Sequence, residues 1–406
     1  MQKTKINTVL VEPAETTEQT EPPYKLPEGW KWETLGNTCN MYQPKTISTK
    51  ELVDDAKYPV YGANGIIGNY NKYNHETSQL LVTCRGATCG SINISQPFSW
   101  INGNAMVIQP NLNNIDLTYL SYVFQSVVDF NTIITGSAQP QITRQSLLPV
   151  PIPLPLTIEE QRRIVKRIES LFEKLDAAKE KARNVLDSFE TRKAAILHKA
   201  FSGELTANWR KQNGVADDSW KTVRFDEIAE IKSNLVDVAD FQDFPHIAPD
   251  NIEKYTGVLL DYHTIAEDKV TSGKHRFYAG QILYSKIRPY LSKVVIVDFD
   301  GLCSADMYPI EAKCDTRFLW YQMLSNEFLE QASNSGSRSV LPKINQKELS
   351  IIKMKTCSLP EQQEIVRILD NILQKEQKAK QAAQTVLEQI DLLKKSILAR
   401  AFRGEL

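Results

Sequence analysis

EQRRIVKRIESLFEKLDAAKEKARNVLDSFETRKAAILHKAFSGEL, residues 160–205, is written again 201 residues further on as EQQEIVRILDNILQKEQKAKQAAQTVLEQIDLLKKSILARAFRGEL, residues 361–406. The two stretches align without a gap, and 18 of the 46 positions are identical. Chance does not give this, so the chain is one unit written twice. Apolar residues in the first copy fall at Ile164, Ile168, Leu171, Leu175, Ala178, Ala182, Val185, Phe189 and Ile196. Steps of four and three alternate, with Arg192 at the one missed position, and that is a heptad seam. In the second copy the seam is Ile365, Leu369, Ile372, Ala379, Ala383, Val386, Ile390, Leu393 and Ile397, with Glu376 as the charged interruption.

A helix over residues 160–201 spans roughly 60 Å at 1.5 Å per residue. A single apolar seam of that length needs a partner, and the other copy supplies one. The first helix leads from one globular part to the next. The second, leaving the later part and pairing with the first, must run back, so the pair is antiparallel. Small residues at Ala178/Ala182 and Ala379/Ala383 allow close approach. The expected fold is α+β: two similar strand-rich domains joined by two long helices in an antiparallel coiled coil, related by an approximate two-fold axis.

The repeat extends faintly upstream. Trp30-Lys31 corresponds to Trp220-Lys221, Gln79 to Val82 corresponds to Gln281 to Tyr284, and Gly136-Ser137 corresponds to Gly336-Ser337. QLLVTC, AMVIQP, QILYSK and KVVIVDF read as short buried strands. Leu117 to Phe130 and Arg317 to Ala332 read as amphipathic helices. Prolines 149, 151, 153 and 155, then Pro360, end each globular part and start each long helix. The expected division is a tail at 1–24, a globular part at 25–155, a helix at 156–206, a second globular part at 207–357 and a second helix at 358–406.

The 406 residues allow two or three domains with cores of their own. No apolar run approaches the roughly 18–20 residues that span a bilayer, and the Thr-, Glu- and Pro-rich N-terminus lacks the apolar region of a signal peptide. A cytoplasmic protein is expected. The six cysteines, Cys39, Cys84, Cys89, Cys303, Cys314 and Cys357, form no C-x-x-C pair, so a zinc or redox site is not supported. The net charge of −1 argues against tight autonomous binding to DNA, where neutralised phosphates supply much of the affinity. It permits local basic loops.

Enzyme motifs are missing. There is no phosphate loop, no G-x-S-x-G elbow and no nuclease-like cluster of carboxylates and lysine. Gly62, Gly65 and Gly68 read as a turn. Glu21-Pro22-Pro23-Tyr24 imitates an amino-methyltransferase signature, but it starts with Glu, follows a polar stretch and has no cofactor motif before it.

Reading DNA asks for Arg, Lys, Asn and Gln at base edges, held on rigid elements. The first globular part offers Arg85 beside Gly86, then Asn102 and Asn104, then Gln139, Gln141 and Arg144. The second offers Lys274 and Arg276, then Lys286, Arg288 and Lys293, then Arg338 and Lys343. These loops hold matching places in both repeats.

LPEGW at 26–30, PIPLPLTIEEQRRIV at 151–165, ILHKAFSGELTANWR at 196–210 and SILARAFRGEL at 396–406 together resemble the DNA-specificity subunit of type I restriction-modification systems. The resemblance covers residues 25 to the end. It implies two target-recognition domains, each reading half of a bipartite asymmetric site, with the helices as a spacer. It implies two adenine methyltransferase subunits holding S-adenosylmethionine, and two restriction subunits using ATP and Mg. It implies no catalysis or cofactor in this chain and no membrane partner. Two rivals remain open: a methyltransferase fused to its own reader, and a coiled-coil adaptor with no preference for DNA sequence.

Overall fold

The computed structural model describes residues 24–111, 114–136, 139–335 and 342–406. The expected tail lies outside them except for Tyr24, whose hydroxyl donates to the Phe402 carbonyl at 3.0 Å and whose ring meets Trp32 edge-on. Contacts divide the chain into two compact units, residues 1–180 with 386–406 and residues 181–385. Each therefore owns one globular part, the start of one long helix and the end of the other.

The first unit is built on a four-stranded antiparallel sheet in the order Cys39–Tyr42, Ala105–Pro110, Leu80–Thr83, Ile92–Ile94. The predicted strands around Leu80 and Met106 are its two centre strands. Leu80, Val82, Met106 and Ile108 are buried against Tyr119 and Phe124 of the helix Leu117–Ser126. That helix stops short of the predicted end. A separate turn, Phe130–Ile133, begins where the Asp129 carboxylate accepts from the Asn131 amide. A smaller sheet sets Ile66–Tyr70, Tyr58–Tyr61 and Trp100–Ile101 side by side, and its hairpin turn carries Gly62 and Gly65.

The proline cluster does more than end the domain. Pro151–Pro155 is itself a strand, paired antiparallel with Trp30–Thr34. Pro151, Pro153 and Pro155 alternate with the buried Ile152 and Leu154. A two-stranded ribbon tolerates this because every second residue has its missing N–H on the unpaired edge.

The second unit repeats the frame. Its four-stranded sheet runs Ala229–Ile231, Met307–Ala312, Ile282–Ser285, Val294–Ile296, and its ribbon pairs Lys221–Arg224 with Lys353–Thr356. The registers coincide: Leu80 faces Ile108 and Ile94, and Ile282 faces Ile310 and Ile296. What differs is the added sheet, which here has five strands: Leu235–Val236, Lys274–Phe277, Gly301–Cys303, Pro245–Ile247 and His263–Thr264. The predicted helix from Arg317 is again two, Thr316–Met323 and Asn326–Ser335.

The long helices pair antiparallel within each unit. In the first, Asp176 meets Lys394 at 2.6 Å and Lys179 meets Asp391 at 3.5 Å. In the second, Glu190 meets Lys380 at 3.9 Å and Arg192 meets Glu376 at 2.8 Å. Arg192 and Glu376 are the two faults in the heptad pattern, and they neutralise each other. Ile164, Ile168, Ala182, Phe189, Ile365, Leu369, Ala383 and Ile390 are buried. Leu171, Leu175, Ile372 and Ile397 are half-buried.

Two corrections apply to the seam. The first helix is not continuous but is Ile158–Asp187 followed by Phe189–Phe201. At the break Ser188 turns its hydroxyl onto the Asn184 carbonyl and accepts from Arg192, which bends a helix. Val386 and Leu393 are 38% and 46% exposed, and beyond Ile390 the buried position is Leu398 rather than Ile397, as a helix of 3.6 residues per turn drifts about 20° per heptad.

Candidate nucleic-acid interface

The three loops expected to carry recognition in the first unit meet at one edge of its four-stranded sheet. The Leu80–Thr83 strand ends at Cys84, whose amide donates to the Asn104 carbonyl, and Ile142 donates back to Cys84. Gly86 donates to Pro140, and Arg85 bridges to Gln141. A turn closed from Gln141 to Thr135 then leads to the Thr143 cap of a short helix, Arg144–Leu147. Arg85, Asn104, Gln139 and Arg144 are exposed on this edge and Gln141 is half-exposed. Gly86 sits at φ +86°, with nothing within 4 Å of where a Cβ would lie, so the main chain there is open to close approach.

The second unit makes the same bonds between residues numbered 202 higher. Lys286 donates to Asp306, Ile344 to Lys286 and Arg288 to Pro342, while Ile287 bridges to Lys343. The Asn345 cap then starts the helix Gln346–Ser350. Every bond of the set is main chain to main chain, so two loops of unrelated sequence take one shape. The register shows that Arg288 stands where the first unit has Gly86, not where it has Arg85. Arg288 adopts φ +47° and Ser292 φ +46°, matching Gly86 at +86° and Gly90 at +89°. For a residue with a Cβ that conformation costs roughly 1–2 kcal/mol.

The edge of the second unit carries mixed charge. Asp306, opposite number of Asn104, receives Lys343 at 3.3 Å and lies 3.9 Å from Lys286. Lys286 also donates to the Ala305 carbonyl and lies over the Tyr308 ring. Arg288 is exposed. Asp306 escaped the sequence reading, although the match of Gln79 with Gln281 already carried the offset that finds it.

Other predicted residues hold the fold. Asn102 is buried; its carbonyl oxygen accepts from the Ile47 amide and the Trp100 indole, and its amide reaches the Ile47 carbonyl. Lys274 is buried in its strand and donates to Ser272. Lys293 is largely covered and donates to the Pro249 carbonyl at 2.6 Å. Arg276 is stacked among Phe241, Phe244 and Tyr278. These four are engaged by neighbouring main chain, hydroxyls and rings within their own unit. Arg338 lies outside the described residues, as do Ser137, Gly336 and Ser337.

Three residues of the two E-Q pairs have structural tasks that the sequence did not reveal. Buried Gln161 accepts from the Asp116 amide at 2.8 Å and donates to the Asn114 carbonyl at 3.0 Å. Gln362 likewise accepts from the Asp315 amide at 2.9 Å and donates to the Cys357 carbonyl at 2.8 Å. Each long helix is thereby locked to the start of a domain helix. Glu361, fully buried, accepts from Thr206, Arg210 and the Trp220 indole at 2.7, 2.8 and 3.0 Å.

Among the described residues no group of three or more His, Cys, Asp or Glu could hold a metal ion, and no helix is long and apolar enough to cross a membrane. Burial pushes the thiols of Cys39 and Cys84 up to about 11, away from thiolate chemistry.

A family model described as "Type I restriction modification DNA specificity domain" matches twice, at residues 27–187 and 217–389. The chain is 36% identical over 407 residues to the EcoDI specificity subunit of Escherichia coli, covering 94% of this chain and 90% of that one. It is 24% identical over 420 residues to the MjaVIII specificity subunit of Methanocaldococcus jannaschii, covering 94% of each. Among solved structures, the HsdS subunit from Thermoanaerobacter tengcongensis shares the fold with a TM-score of 0.68 at 20% identity, over 96% of this chain and 100% of that one.

Proposed function

This chain belongs to the type I restriction-modification DNA specificity family, and from that premise we propose that each unit reads one half of a bipartite, asymmetric DNA site through the loop edge just described. As a specificity subunit it recognises DNA sequence and is not a catalyst. Its partners are DNA and the modification and restriction subunits of the complex. The finer assignment is ours: two adenine methyltransferase subunits carrying S-adenosylmethionine dock on the helical spacer, two restriction subunits supply ATP- and Mg-dependent cleavage, and the spacer sets the gap between half-sites. The apolar residues Val386, Leu392 and Leu393, exposed on the last helix, support a docking face there.

One observation carries the reading. Two loops with different side chains are held in a single shape by the same main-chain bonds. A scaffold that fixes position and leaves chemistry free is what two readers of different sequences require. Arg85 and Arg288 supply exposed guanidinium forks, which suit the O6/N7 edge of guanine.

The test is methylome sequencing of a host carrying the subunit with its methyltransferase. Arg85→Ala is expected to relax one or two positions of one half-site and Arg288→Ala those of the other, by roughly 5- to 150-fold for a bidentate contact. Equal losses at both half-sites from either change would defeat the proposal.

A further inference from the structure

Accepting that the second unit's loop edge reads DNA, we propose that Tyr290 is a base-contacting specificity residue, its ring carried against the bases of the second half-site by the loop Arg288–Ser292. The sequence there is RPYLS, and its counterpart in the first unit is GATCG, residues 86–90. Both loops join the central strand of the four-stranded sheet to its edge strand, and both begin and end with a positive φ. The first uses glycine at each end. The second keeps arginine and serine in a conformation that side chains resist. A strained backbone persists where its surroundings determine it and where something is gained from the side chains it presents.

The surroundings do determine it. Arg288 donates to Pro342, Leu291 to Arg288 and Ser292 to Pro289, and the Leu291 carbonyl accepts from Tyr255. Pro289 is buried, and its ring fixes the first residue of a short 3-10 turn, Pro289–Leu291. Between these anchors Tyr290 is 45% exposed. An aromatic ring held out by a rigid turn loses little further entropy on binding, and its partner needs an apolar face.

The neighbours say which partner. Arg288 precedes the ring by two residues and is exposed, while Lys343 and Lys286, on the segments hydrogen-bonded beside it, share Asp306 between them. A cation next to an exposed aromatic suits a nucleic acid, whose phosphates pair with the first while the base edges and thymine methyl groups in its groove meet the second. Thr88 occupies the same place in the first unit, so the two units carry different contact chemistry at one position.

The experiment uses the complex assembled with its methyltransferase subunits. Methylation rates are measured on duplexes in which each base pair of either half-site is changed in turn. Tyr290→Ala is expected to lower discrimination at one or two positions of the second half-site by about 4-fold, the order for loss of one buried methyl contact. It leaves the first half-site as it was. Tyr290→Phe retains most of the discrimination, since the ring remains. An unchanged thermal transition shows that the variant folds as the parent does. Unaltered discrimination in Tyr290→Ala overturns the inference. If Arg288→Ala and Lys343→Ala then disturb the second half-site while Tyr290→Ala does not, the reading of the edge stands and only the role of the ring fails. If none of the three disturbs it, the reading of the edge fails too. Weakened assembly with methyltransferase subunits at full discrimination makes Tyr290 a protein contact and also overturns the inference.

Discussion

Glu361 is a carboxylate with no exposure, and one of its oxygens accepts from Arg210, whose side chain is 7% exposed. Its counterpart Glu160 is partly exposed and pairs with Arg163 on the same helix turn. The two residues are identical in sequence and opposite in consequence. Removing the partner of a buried charge strands it in low dielectric, so Arg210→Ala is expected to destabilise the second unit by about 3–5 kcal/mol. Arg163→Ala removes an exposed pair worth about 0–1 kcal/mol. Urea unfolding followed by circular dichroism separates the two, and comparable losses would contradict this account. The sequence displayed the E-Q motif plainly but not this asymmetry, because burial depends on which chain segment returns over the residue. Asn102 and Lys274 teach the same point: an amide and an ammonium look like ligand groups until the fold shows them buried on Ile47, Trp100 and Ser272.

Among the elements, the long helices were the most legible. A heptad seam survives in one dimension, while the pairing of its two faults, Arg192 and Glu376, emerged only in the structure. The break at Ser188 was not legible, since serine is ordinary on a helix surface and only its bond to Asn184 bends the chain. The domain helices were read too long for a similar reason: the Asp129 cap that restarts the first of them acts through its own local geometry. Gln362 ties one long helix to the Asp315 turn and to Cys357. Gln362→Ala therefore leaves buried main-chain groups unsatisfied, and a loss of about 2–3 kcal/mol is expected. A thermal transition of the variant within a degree of the parent would show that water or rearrangement replaces those bonds.

For the molecule as a whole, the doubled sequence made the doubled frame legible, down to the registers of the strands Leu80–Thr83 and Ile282–Ser285 against their neighbours, all 202 residues apart. The extra sheets were not, because three strands in one unit and five in the other share no pattern to compare. On the proposal that the paired helices set the gap between half-sites, one heptad added to each adds roughly 10 Å at 1.5 Å per residue. That is about three base pairs at 3.4 Å each. Methylation mapping is expected to return the same two half-sites with a wider gap. New half-site sequences at the old gap would rule the spacer role out.

The two loop edges share one pattern of main-chain bonds under different side chains, so that pattern tolerates change in many of the residues it carries. Variation can therefore accumulate at these few positions without loosening the body that carries them. On the proposal that these edges read DNA, a lineage bearing such a protein can change what it marks as its own by altering a handful of codons, and inherit the rest untouched.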